Sequence, residues 1–246
     1  GEIHFSTGSN TARSSSNFYA LNNGIATLFE IRGVGIGKTS FKRRINSGLA
    51  VGFSFLKTAY ENSNFIFNQI DIANTYTNDI VLQHERSIYT DVIKAIDIES
   101  NELIDFSTTM HSSKDSYAIS KRDRPLAYII KKNNYGFIEK LNDVGVNYVE
   151  LEKDTMIYSG GYKVVEFNNK FKVYEKMKMQ KVVTSIEYSN NKFSKGDILI
   201  SMNQKRSNLI AELLEPEAPN SYVSFGIIKT SLNNQLPIYR IKNFNN

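Results

Sequence analysis

"GIATLFEIRGVGIGKTSFKRR", residues 24–44, decides how this chain is read. An apolar run with β-branched and aromatic members leads into Gly33, Gly35 and Gly37, then Lys38 and Thr39. A short run of this kind between glycines predicts a buried strand over 24–33. Beyond it, Phe41, Ile45, Leu49, Phe53, Leu56 and Tyr60 recur at steps of three and four. That is the period of a helix with one apolar face. The hydroxyl of Thr39 or Ser40 is placed to satisfy free amides of its first turn, and "ENSN" (61–64) ends it. Strand, glycine turn and helix form an α/β unit that needs a larger sheet to pack against. Only a loop-like stretch rich in Ser, Asn and Gly, residues 1–23, precedes it. The expectation is therefore the closing part of a domain that begins elsewhere.

The glycines fit neither common nucleotide motif. A phosphate loop with Gly37-Lys38-Thr39 needs a further glycine at position 32, where Arg32 stands. A dinucleotide turn needs G-x-G-x-x-G, and the spacing here is G-x-G-x-G. A plainer reading gives the glycines a sharp strand-to-helix turn. It leaves Glu30 unexplained. A carboxylate inside an apolar strand is costly unless it is paired or put to use. Arg32 shares its strand face, because side chains alternate along a strand. Glu30 is thus either half of a structural Glu30–Arg32 pair or a catalytic carboxylate.

Composition narrows the chemistry further. There is no Cys in the 246 residues, which removes disulfides, thiolate nucleophiles and cysteine zinc sites. His4, His84 and His111 are the three histidines, and none opens a His-x-x-Glu or His-Glu-x-x-His motif of the kind zinc enzymes use. The net charge is +5, spread thinly apart from "KRDR" (121–124) and "YEKMKMQK" (174–181). Nucleic-acid binding calls for a denser stripe with interleaved aromatics, so these lysines read as a solvated surface. No apolar run reaches the ~20 residues of a membrane helix.

From about residue 65 the pattern changes. "SIYTDVIKAIDI" (87–98), "YKVVEFNNKFKVYE" (162–175) and "QKVVTSIEYS" (180–189) alternate as strands do. "PLAYII" (125–130) reads as a buried strand or a tight helix entry, and "VNYVELEKD" (146–154) as a further alternating run. "NYGFIEKLNDVG" (134–145) reads as a helix closed by Gly145, and "NQKRSNLIAELLEP" (203–216) as a helix stopped by Pro216. The expected organisation is residues 1–64 as the tail of an α/β domain and residues 65–246 as a β-rich α+β accessory domain.

Phe29-Glu30-Ile31-Arg32, the run Arg32-Gly33-Val34-Gly35-Ile36-Gly37 and the paired Arg43-Arg44 resemble the C-terminal part of the catalytic domain of zinc carboxypeptidases of the carboxypeptidase A type, in a bacterial form. "KGDILISMNQKRSNLIAELLEPEAPNSYVSFG" (195–226) is similar to the C-terminal extension of such bacterial members. The resemblance implies hydrolysis of a peptide or related amide at a free C-terminus, with zinc polarising the scissile carbonyl and acidifying a bound water. It implies that Glu30 moves the proton from water to the leaving amine, and it offers Arg13 as the residue that holds the substrate carboxylate. The family's zinc ligands lie upstream of the glutamate strand and have no counterpart here. The resemblance therefore implies a piece that is inactive alone, completed by the missing N-terminal half of the catalytic domain, in a periplasmic or secreted protein. The alternative is a noncatalytic binding module in which Glu30 and Arg32 pair structurally.

Overall fold

A computed structural model describes residues 4–33, 37–75 and 78–243. The glycine run at Gly35 lies outside the described residues. The molecule is a mixed α/β structure with a three-stranded mixed sheet and a six-stranded antiparallel sheet.

In the first sheet β1 (His4–Thr7) lies parallel to β3 (Leu103–Arg122), and β3 pairs antiparallel with β2 (Ile80–Ile96). Between β1 and β2 run three helices: α1 (Ser15–Leu21), α2 (Phe41–Glu61) and α3 (Ser63–Asn74). The helix expected from residue 41 is present with its expected end. Its cap is not the expected one, because Ser40 makes no side-chain capping bond; its hydroxyl faces the Gly37 carbonyl instead, at 3.5 Å.

The second sheet runs β5-β8-β4-β9-β6-β7. It consists of β4 (Ala127–Ile130), β5 (Val149–Glu150), β6 (Thr155–Tyr174), β7 (Met177–Phe193), β8 (Ile198–Ser201) and β9 (Gln235–Ile241). Within "PLAYII", Ala127–Ile130 form a strand closed to solvent, while Leu126 before it is exposed. The β6–β7 hairpin turns at Glu175 and Lys176, both at positive φ, as a two-residue primed turn requires. α4 (Ile138–Asp143) and α5 (Ser207–Leu214) cover the sheet. Leu141, Ile210 and Leu214 join Tyr128, Tyr162, Ile200 and Ile238 in its core.

One expectation fails outright. Residues 24–33 form no strand. A strand needs a neighbour to take its backbone amides and carbonyls, and neither sheet of this chain offers one there.

The helices show the same lack. Neither α2 nor α3 buries a single residue. Phe53 is 68% exposed and Tyr60 83%, and Phe41, Leu49, Leu56, Phe65 and Phe67 are exposed too. An apolar stripe of this size on a monomer marks an interaction surface. Because nothing among the described residues buries it, Leu49→Ser and Phe53→Ser together should shift unfolding of the 246-residue chain by less than about 0.5 kcal/mol and reduce its binding of an apolar dye. A loss of several kcal/mol in a denaturant titration would show that the face is covered after all.

Beneath the second sheet lies a buried charge network. Glu215, just past the C-terminus of α5, has no solvent exposure. Its carboxylate meets Arg122 Nη1 at 2.6 Å and Arg240 Nε at 3.3 Å, and accepts a hydrogen bond from the Tyr128 hydroxyl at 2.5 Å. Burial, with Glu215 beside it, pushes the Tyr128 phenol well above its ordinary pKa, so it remains a donor. Arg122 reaches Glu217 as well, at 2.7 Å. Arg240 continues to Asp123. Burial works against the charge on Asp123, but Arg240 and Lys242 outweigh it and hold this carboxyl below its usual range.

Candidate functional site

Residues 24–33 have no sheet, and their last part lies along α2. Phe29 meets Phe55 of α2 edge-on, ring centroids 6.3 Å apart. Ile31 lies over Gly48, its Cδ1 3.8 Å from where a Cβ would sit. Gly33 is buried against the Arg44 side chain, which a Cβ there would strike. Arg43 Nη2 donates to the Arg32 carbonyl at 2.7 Å. The segment thus runs antiparallel along α2, pinned at its end by the paired arginines. The intervening residues Leu28, Glu30 and Arg32 are exposed.

Glu30 and Arg32 are both open to solvent rather than buried in a strand. No ion pair joins the two among the described residues. A cavity of about 280 Å³ opens beside Phe29, between Tyr19 of α1, Ile25 and Phe55.

Arg13 lies away from this segment. Its guanidinium stacks 3.5 Å above the Tyr174 ring at the tip of the β6–β7 hairpin and 5.3 Å from Phe225. Stacking uses the face of the guanidinium and leaves its in-plane N–H groups free to bond. The loop carrying it is tied down by Asn17, which donates to the Ser9 and Thr11 carbonyls at 2.6 and 2.9 Å.

The histidines do not gather. His4 and His111 stack on each other across β1 and β3, centroids 4.7 Å apart, and His84 Nε2 meets the Asn10 carbonyl at 2.9 Å. Among the described residues no three His, Cys, Asp or Glu side chains converge on a point where a metal could sit. The residues present therefore do not fit a zinc ion, and no step can be derived through one from this chain.

A second group of chemically useful side chains went unread in the sequence. Phe171, Lys172 and Lys181 edge a cavity of about 450 Å³ beside His84 and Met179. The signal was present in "NNKFKVYE", where an Asn-Asn pair precedes an aromatic between two lysines. Alternation alone made this an ordinary strand. No helix is long and apolar enough to cross a membrane among the described residues.

Comparison with known proteins places the chain beside fungal enzymes. It is 30% identical over 240 residues, 94% of its length, to "Carboxypeptidase 2" of Trichophyton equinum. It is 28% identical over 235 residues to the protein of that name in Trichophyton tonsurans and 29% over 240 residues to that of Trichophyton rubrum. The chain spans 44% of the length of these curated relatives. No family model and no solved structure matches it.

Proposed function

We propose, proceeding from the distant homology to fungal carboxypeptidase 2 over most of the chain, that these residues are the C-terminal part of a zinc-dependent carboxypeptidase and supply its proton-transfer base. That homology carries the reading. Two structural features support it. The Glu30 segment lies along α2 with Leu28, Glu30 and Arg32 uncovered, and α2 bares an apolar face of the kind a catalytic sheet would bury.

In this reading the remaining part of the catalytic domain pairs with residues 24–33 and covers α2, and residues beyond this chain hold the zinc. The chain's own chemistry is at Glu30. Its carboxylate accepts a proton from water as the water oxygen bonds to the scissile carbonyl carbon. It returns that proton to the amine nitrogen as the C–N bond breaks.

The test uses the whole protein and a peptide with a free C-terminus. Hydrolysis should stop with a zinc chelator and return with added zinc, the C-terminally amidated peptide should survive, and the 246-residue chain alone should be inactive. Turnover indifferent to the chelator, or equal cleavage of the amidated peptide, would remove the reading.

A further inference from the structure

We infer that the cavity between the β6–β7 hairpin and the β2–β3 pair binds acidic peptide segments, with Lys172 and Lys181 taking carboxylates and Phe171 and Ile119 taking the apolar side chains between them. This rests on the isolated chain and does not depend on the hydrolase reading.

The observation that carries it is a break in strand register. Asn168 of β6 sits opposite Lys181, but the next pair is Lys172 opposite Met179. Residues 169–171 therefore face Gln180 alone, and the excess is thrown outward as a bulge. Asn168 Oδ1 holds it by accepting from the Lys170 amide at 3.0 Å. The bulge presents Phe171, 43% exposed, with the ammonium groups of Lys172 and Lys181 at 5.3 and 5.7 Å from its ring centroid. Two like charges are thereby gathered around one aromatic ring. The ring attracts each of them, but they repel each other, and an anion between them removes that repulsion.

Neither of the cavity's own acids pairs with these lysines. Glu217 accepts from the Thr184 amide and hydroxyl at 2.7 and 2.8 Å and pairs with Arg122. Glu85 accepts from the Tyr117 hydroxyl at 3.3 Å. No carboxylate among the described residues pairs with Lys172 or Lys181.

The walls favour a peptide over an anionic sugar. Phe171, Ile119 and Pro219 give exposed apolar surface, which suits aliphatic side chains. A uronic acid chain brings hydroxyls that need polar partners. The Gln180 amide, which could serve, is spent on the Val223 and Ile228 carbonyls at 2.6 and 3.2 Å.

The test is fluorescence anisotropy of the 246-residue chain with a fluorescein-labelled peptide of alternating Glu and Leu at low salt. It should bind saturably, and its Gln-Leu counterpart at least about ten-fold more weakly. Lys172→Gln with Lys181→Gln should cost at least about ten-fold in affinity, and Phe171→Ala should weaken binding too. All three positions are exposed, and unchanged melting of each variant confirms that it folds. Lys172→Glu with Lys181→Glu should transfer the preference to a Lys-Leu peptide. Absence of saturable binding, equal binding by the double Gln variant, or equally tight binding of a polyuronate oligosaccharide would each overturn the inference.

Discussion

Glu215→Gln should cost the chain about 3–5 kcal/mol, the range expected when one partner is taken from a buried ion pair. The carboxylate is closed to solvent and serves Arg122, Arg240 and the Tyr128 hydroxyl at once. Removing its charge leaves guanidinium groups with little water to turn to. For a chain of this size the loss should lower the melting temperature by about 10 °C, read from urea or thermal unfolding by circular dichroism. A coupling test makes the attribution specific. Arg122→Met in the Glu215→Gln background should cost less than in the wild type, because the two residues share one interaction. A loss below about 1 kcal/mol, or strict additivity of the two substitutions, would mean that the network stabilises the module far less than its burial suggests.

Glu30→Gln should behave in the opposite way, with a large effect on turnover and almost none on folding. In the whole protein the rate constant should fall by about 10²–10⁴, the usual contribution of a positioned acid–base group. KM should change little, because the isosteric amide keeps the shape of the side chain. In the 246-residue chain the same substitution should shift unfolding by less than about 0.5 kcal/mol, since Glu30 is exposed and unpaired with Arg32 there. The contrast separates a catalytic role from the structural pair. A wild-type rate in the whole protein would dismiss Glu30 as the base, and a large stability loss in the isolated chain would restore the structural account.

Much of the molecule could be read from residue order because local pattern and final packing agree. Pro216 bounded α5, and Ala127–Ile130 of "PLAYII" became a closed strand, while the apolar step of three and four from Phe41 to Tyr60 produced α2 by local pattern alone, its apolar face left open. The residues that misled did so for physical reasons. The 24–33 segment has strand composition, but among the described residues no neighbouring strand takes its backbone groups. α3 (Ser63–Asn74) is rich in Phe, Ile and Asn, which favour helix poorly, and it forms as a direct continuation of α2. β3 is full of Ser, Thr and Asp, and its identity comes from pairing with β2 along nearly its whole length. Pro237 argues against a central strand, yet β9 lies between β4 and β6. As for the candidate site, the apolar run around Glu30 was legible in the sequence. The stacking of Arg13 on Tyr174 was not, because those residues stand 161 positions apart and only the hairpin's reach unites them.

The position of β9 also governs how the protein can be made. Its residues Ala127↔Ile241 and Ile130↔Ile238 pairings, and its contact with Gly160 of β6, fill the middle of the six-stranded sheet. A ribosome must therefore deliver residue 241 before either half of that sheet can join the other. Until then β4 and β6 wait with unsatisfied inner edges, and Glu215 waits for the guanidinium that Arg240 carries on the same late strand. Nascent chains halted before this point should be held by chaperones or lost to proteases, since open strand edges invite association with other chains.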